Sequence, residues 1–194
     1  MEELAEQLAR RGLRVFPGRE ALAKAFTKVW FRKGQLLLVP GQTAQSLYFL
    51  SRGLVRGYRR YERYEATTWF LPGGQFLLPD GCFTGEPGGE YIECLEDSVG
   101  FALSLREAGQ RMAEIPQVAS FFLRLLEEKA LEAKRREEML RIPAAADRYR
   151  HVLHAQPTVV YQATQELLAS YLNLSPKHLS RLRREEARGG RRGD

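Results

Sequence analysis

The sequence predicts an α+β protein: an N-terminal antiparallel β-roll, jelly-roll-like, with flanking helices, then a long helix, then an all-α C-terminal helix-turn-helix unit. Three observations carry that prediction. Short β-branched and aromatic runs broken by Gly and Pro fill residues 27 to 104. The stretch after Pro116 runs to Arg141 without Gly or Pro. The closing segment, "LLASYLNLSPKHLSRLRREEARGGRRGD", sets leucines at helical spacing against a crowd of basic residues.

Composition allows this plan. With 194 residues and 44% hydrophobic content the chain can bury more than one core. It carries 30 Lys plus Arg against 24 Asp plus Glu, a formal net charge of +6, which admits a polyanionic partner without identifying one. Cys82 and Cys94 are the only cysteines, too few for a disulfide scaffold or a four-cysteine cluster, and each reads as a small buried hydrophobe in a reducing compartment. "MEELAEQLARRG" lacks the apolar core of a signal peptide, and no run of about eighteen apolar residues occurs. A cytoplasmic protein without membrane contact is expected.

Along the chain, Leu4, Leu8, Ala21, Leu22 and Ala25 fall at helical spacing on either side of "FPGRE", which predicts two short helices around a turn. The runs "KVWF", "QLLLVP", "SLYFLSRGLVRGYRRY", "EATTWFLPG", "YIECLED" and "VGFALS" then alternate with breaks at Gly34, Gly41, Gly53, Gly73 and Gly74. Breaks every ~8 to 12 residues suit a compact antiparallel roll. From Pro116 to Arg141 a helix of about 39 Å is expected at 1.5 Å per residue. Ala119, Phe122, Leu126, Ala130, Ala133 and Leu140 form a stripe along it, with Val118 and Leu125 beside them. A helix this long outreaches a domain of about 100 residues. The pattern therefore predicts a homodimer, dimerising through Val118, Phe122, Leu125, Leu126, Ala130, Ala133 and Leu140, the alanines letting two backbones approach. Pro143 in "RIPAAADRY" ends the helix and marks a hinge. The expected divisions are 1–108 for the roll, 109–142 for the long helix and hinge, and 143–194 for the helix-turn-helix unit. A second helix runs to about Ala155, followed by "QPTVVY".

In the closing segment Thr164 and Ser175 read as N-caps, and Pro176 occupies the first helical position, where proline is favoured. Two short helices follow, about 165 to 172 and 176 to 187. Leu168, Leu172, Leu174, Leu179 and Leu182 face each other across the turn, Ala169 allows a close crossing, and Asn173 tolerates the left-handed backbone of a sharp bend. With Leu179 and Leu182 inward, Lys177, Arg181, Arg184 and Arg188 land on the opposite face, Ser180 at its edge and His178 to one side. Such a helix suits double-stranded DNA: the major groove admits one α-helix, Arg pairs bidentately with guanine, and Lys and Arg neutralise phosphates. The expected DNA-binding residues are Thr164, Gln165, Ser175, Lys177, His178, Ser180, Arg181, Arg184 and Arg188. Those near the helix start are placed closest to the bases, Arg188 towards phosphate or solvent.

The architecture resembles the Crp/Fnr family of bacterial transcription regulators over roughly residues 20 to 188. "FRKGQLLLVPGQTAQSLYFLSRGLVRGYRR" is similar to the opening strands of that family's cyclic-nucleotide-binding roll, and "YIECLEDSVGFALS" to its closing strands. "AADRYRHVL" and "LLASYLNLSPKHLSRLRR" are similar to its DNA-binding unit. The resemblance implies a homodimer on a palindromic operator, with RNA polymerase as a possible further partner. Residues that contact cyclic AMP in responsive members, a Glu and an Arg-Ser pair, fall here on Leu78, Gly88 and Gly89. No arginine or lysine lies between Arg63 and Arg106, so that stretch supplies no cation for a phosphate. The chain is thus similar to the branch without the usual cyclic-AMP contacts, and any small-molecule effector stays open. Arg181 matches the family's base-reading arginine, whereas Lys177 stands in place of a glutamate and Pro176 in place of an arginine, which implies a different operator. The β-hairpin wing of many members is replaced by "EARGGRRGD", whose arginines are candidates for phosphate contact.

Other classes fit less well. A metal enzyme on a β-roll needs His and carboxylate ligands on adjacent strands, but His151, His154 and His178 are the only histidines and all lie in the helical third. No G-x-S-x-G elbow or papain-like cysteine context occurs. No catalytic residue, metal or cofactor is expected. The alternative function is a dimeric sensor or scaffold that works through protein contacts without DNA.

Overall fold

The computed structural model describes residues 1–13 and 18–189, with Arg188 and Gly189 described by their backbone alone. The chain opens with α1 (Glu2–Arg10) and α2 (Gly18–Ala25). Phe16 and Pro17 of the expected turn lie outside the described residues. Eight strands follow: β1 (Thr27–Phe31), β2 (Leu36–Leu38), β3 (Ser46–Arg52), β4 (Leu54–Tyr61), β5 (Tyr64–Pro72), β6 (Gln75–Leu77), β7 (Tyr91–Cys94) and β8 (Ser98–Ser104). They pair into two four-stranded sheets, in the orders β1-β8-β3-β6 and β2-β7-β4-β5, with every pairing antiparallel. The breaks read at Gly34, Gly41, Gly53, Gly73 and Gly74 fall between strands, whereas the β4–β5 and β7–β8 turns carry neither Gly nor Pro.

Strand alternation explains the layers. Phe31, Leu38, Leu50, Val55, Ile92 and Cys94 turn inward and fill the space between the sheets. Burial there pushes the Cys94 thiol up to about 11. Leu47, Phe49, Phe101 and Leu103 point the other way, into a second core shared with Leu4, Leu8 and Leu22 of the N-terminal helices.

After β8, Ser104 caps α3 (Leu105–Glu114) by accepting the Glu107 amide at 3.2 Å. Next comes α4 (Pro116–Arg141), with the bounds the sequence predicts. Val118, Phe121, Phe122 and Leu125 of α4 close the second core. This corrects the expected dimer stripe: Val118 and Phe122 are 0% exposed and Leu125 3% within the single chain, so they have no surface left to give a partner. Of the expected set, Leu126, Ala130, Ala133 and Leu140 are open.

The helix ends at Ile142, beside Pro143, and the chain continues as α5 (Ala145–Ala155), α6 (Pro157–Gln162), α7 (Gln165–Tyr171) and α8 (Pro176–Gly189). "QPTVVY", read without an element from the sequence, is helical because Pro157 sits at a helix start. A third core joins these helices to Met139 of α4 and to Leu54 and Phe70 of the roll.

Candidate nucleic-acid interface

The helix pair α7–α8 is built by caps and a leucine core. Thr164 Oγ1 accepts the Leu167 amide at 3.4 Å, and Ser175 Oγ accepts the His178 amide at 3.2 Å, satisfying donors that a helix start leaves unpaired. Between them Asn173 adopts φ 53°, the left-handed conformation the sequence anticipates. The Leu174 amide folds back onto the Ala169 carbonyl at 2.9 Å, closing the turn. Leu168, Ala169, Leu172, Leu179 and Leu182 are buried together with Tyr149, Val152, Val159 and Val160 of α5 and α6. Arg183 Nη2 donates to the Val160 carbonyl at 3.0 Å and fixes the rotation of α8 on that base.

With the leucines inward, Lys177, Arg181 and Arg184 are exposed on one face, Ser175 is exposed at its start, and His178 and Ser180 are half-buried at its edges. Arg181 meets Glu185 only at 3.8 Å, both largely in solvent, a weak pair that a phosphate or base can replace. Thr164 is exposed, but its hydroxyl serves the helix cap. Gln165 reaches across to the Pro176 carbonyl at 3.2 Å, so it also holds α8 in place. The Arg188 side chain and the tail from Gly190 to Asp194 lie outside the described residues.

Inside the roll, the Trp69 indole packs against Gly57, where an added Cβ would stand 2.2 Å from the ring. Trp69 Nε1 donates to Glu90 at 2.8 Å, and Thr68 Oγ1 donates to the same carboxylate at 2.9 Å. Glu90 is buried; desolvation lifts its pKa above the ordinary carboxylate value, against the opposing hydrogen bonds from Trp69 and Thr68. Lys129 of α4 donates to the Leu78 carbonyl at 2.8 Å and to Asp80 at 2.7 Å. One cation beside the glycine turn was not read from the sequence: Arg59 of β4 brings Nη2 to within 3.5 Å of where a Gly89 Cβ would be. It comes from the neighbouring strand, not from the stretch between Arg63 and Arg106. Arg59, Arg60, Tyr61, Tyr91, Pro40 and Gly89 line an open cleft of about 420 Å³ there.

A second group ties the helical unit to the roll. Ser170 Oγ of α7 accepts the Thr67 amide and donates to the Glu65 carbonyl, both at 2.9 Å. Arg136 of α4 donates Nε to the Thr68 carbonyl at 3.0 Å and stacks on Tyr171 at 3.9 Å. Phe70 meets the same tyrosine edge-on at 5.1 Å. The sequence carries a signal for Arg136: it continues the spacing Val118, Leu125, Lys129, Arg136, Met139 on the inward face of α4.

Among the described residues no three His, Cys, Asp or Glu side chains group to hold a metal ion, and no helix is long and apolar enough to cross a membrane.

Solved structures share this fold. FixK2 from Bradyrhizobium japonicum superposes with a TM-score of 0.73 at 16% identity, over 85% of this chain and 86% of that one. A CRP/FNR-family transcriptional regulator from Thermus thermophilus gives 0.69 at 21% identity, over 84% and 87%. The c-di-GMP-responsive global regulator CLP of Xanthomonas campestris gives 0.67 at 16% identity, over 89% and 92%. No protein-family model and no curated protein matches the chain. The likeness therefore lies in the fold.

Proposed function

We propose that the chain is a homodimeric, sequence-specific DNA-binding transcription regulator of the Crp/Fnr type, acting without cyclic AMP in the cytoplasm. The observation that carries this reading is the open basic stripe of α8, Lys177, Arg181 and Arg184, held outward by capped helices and a leucine core. The shared fold with Crp/Fnr regulators supports it.

In this reading Ser175, Lys177 and Arg181 enter the major groove, with His178 and Ser180 flanking them, and Arg181 contributes two parallel donors to guanine. Arg184 and Arg188 meet phosphate, and the start of α7 at Thr164 and Gln165 abuts the backbone. Residues 1–108 form the roll, 109–142 the dimer helix and hinge, and 143–194 the DNA unit. Leu126, Ala130, Ala133 and Leu140 pair two copies, joined by Leu123, whose 66% exposure adds it to their face. Twofold pairing asks for a palindromic operator with half-sites about 34 Å apart. RNA polymerase is the partner through which such a protein activates.

Independence from cyclic AMP is supported by Gly88 and Gly89 at the phosphate-contacting positions, where the nearby cation, Arg59, comes from β4. Selection of bound sequences from random duplexes by the purified protein tests the whole reading. A palindromic motif recovered without ligand, its affinity unchanged by cyclic AMP and lowered about 10- to 100-fold by Arg181→Ala, is expected. Recovery of no motif under any condition points instead to a dimeric scaffold.

A further inference from the structure

The contact between α7 and the roll has a physical logic of its own. β5 is an outermost strand of its sheet, so one row of its backbone donors and acceptors has no neighbouring strand to pair with. Side chains from two other elements take that place. Ser170 serves both the Thr67 amide and the Glu65 carbonyl, two groups that point to the same side of the strand. Arg136 serves the Thr68 carbonyl at 3.0 Å and reaches the Thr67 carbonyl at 3.5 Å. The guanidinium then lies over Tyr171 at 3.9 Å, so the dimer helix, the roll and the first helix of the pair meet at one side chain. Burial lowers the Arg136 pKa and raises that of Tyr171, as expected where a cation and a ring exclude water between them. Leu54 and Phe70 add an apolar patch to the same seam. Throughout, Lys177, Arg181 and Arg184 stay exposed, so the seam leaves the basic face of α8 uncovered.

We propose that this seam is an intramolecular latch that presets the orientation of the DNA-reading helix relative to the dimer helix, in place of an effector. The inference rests on the DNA-binding reading above. A twofold protein engages two half-sites at once only when both reading helices hold one orientation. Each copy free to swing about the Pro143 joint lowers the competent fraction, and apparent affinity falls with it. Ser170 and Arg136 keep that fraction high without ligand.

The test uses the full chain, with Ser170→Ala and Arg136→Met as separate variants. Each is titrated against the selected full operator and against a duplex carrying a single half-site. Backbone hydrogen exchange at Thr67 reports the latch directly, because the Thr67 amide is bonded to Ser170. The expected result is faster exchange at Thr67 in Ser170→Ala, full-operator binding weakened about tenfold in both variants, and half-site binding unchanged. Equal loss on full and half sites would show damage to the helix pair itself, and it would overturn the latch. So would unchanged or tighter full-site binding, the latter marking an inhibitory contact. If the parent protein binds no duplex while Thr67 still loses protection in Ser170→Ala, the seam is real and the DNA reading is what fails.

Discussion

Two apolar faces run along α4, and they have different fates. One carries Val118, Phe121, Phe122, Leu125 and Met139, all buried within the chain itself. The other carries Leu123, Leu126 and Leu140, exposed at 66%, 39% and 40%, with Ala130 and Ala133 between them. Hydrophobic periodicity sees both as one broad stripe, because residues three and four apart fall close together whichever neighbour they meet. Burial tells them apart. The first face is part of the fold, and the second stays exposed, as the proposed dimer requires.

Substitutions can break that division. The largest effect is expected for Phe122→Ala, which removes a ring packed against Phe83 and Phe121. Urea unfolding should show a loss of about 3–5 kcal/mol, with the same shift at every protein concentration. A concentration-dependent shift would move Phe122 to the dimer face. Next, Leu123→Glu combined with Leu126→Glu should leave the isolated fold nearly intact while dissociating the dimer. Each leucine contributes about 1.5–3 kcal/mol when buried, so sedimentation should show monomers at concentrations where the parent is paired. A dimer that persists would place the partner elsewhere.

The smallest effect lies inside the roll, away from both faces. Burial raises the Glu90 pKa, so the folded chain keeps this proton to higher pH than the unfolded chain does. In the window between the unfolded carboxylate value, about 4.3, and the raised folded value, the unfolded state binds fewer protons and stability falls as pH rises. Glu90→Gln should flatten that fall when Tm is followed from pH 4 upward. An unchanged slope would mean that Glu90 does not titrate in the window.

Much of this was legible in the sequence, where local chemistry decided the matter. Gly and Pro punctuation marked the strands, Pro116 and Pro143 bracketed α4, and Thr164, Asn173, Ser175 and Pro176 specified the helix pair by capping and backbone rules that act over a few residues. The basic stripe of α8 followed from placing Leu179 and Leu182 inward. What stayed hidden depends on contacts between distant segments. Arg59 meets Gly89 across strands, Trp69 covers Gly57 and reaches Glu90, and Ser170 bonds an edge strand more than a hundred positions earlier. No spacing rule links such positions. The mistaken dimer residues have the same origin, since only the roll's position distinguishes Phe122 from Leu126. Arg136 is the intermediate case: its spacing from Val118 and Leu125 lies in the sequence, but the burial of that face and its partners do not.

The central claim, that the open face of α8 reads DNA, is tested most directly by a salt titration of binding to the selected operator. Log affinity should fall linearly with log salt, with a slope reduced by about 1 in Arg184→Ala if that side chain meets a phosphate as proposed. A binding constant indifferent to salt, or a slope untouched by that substitution, would contradict it.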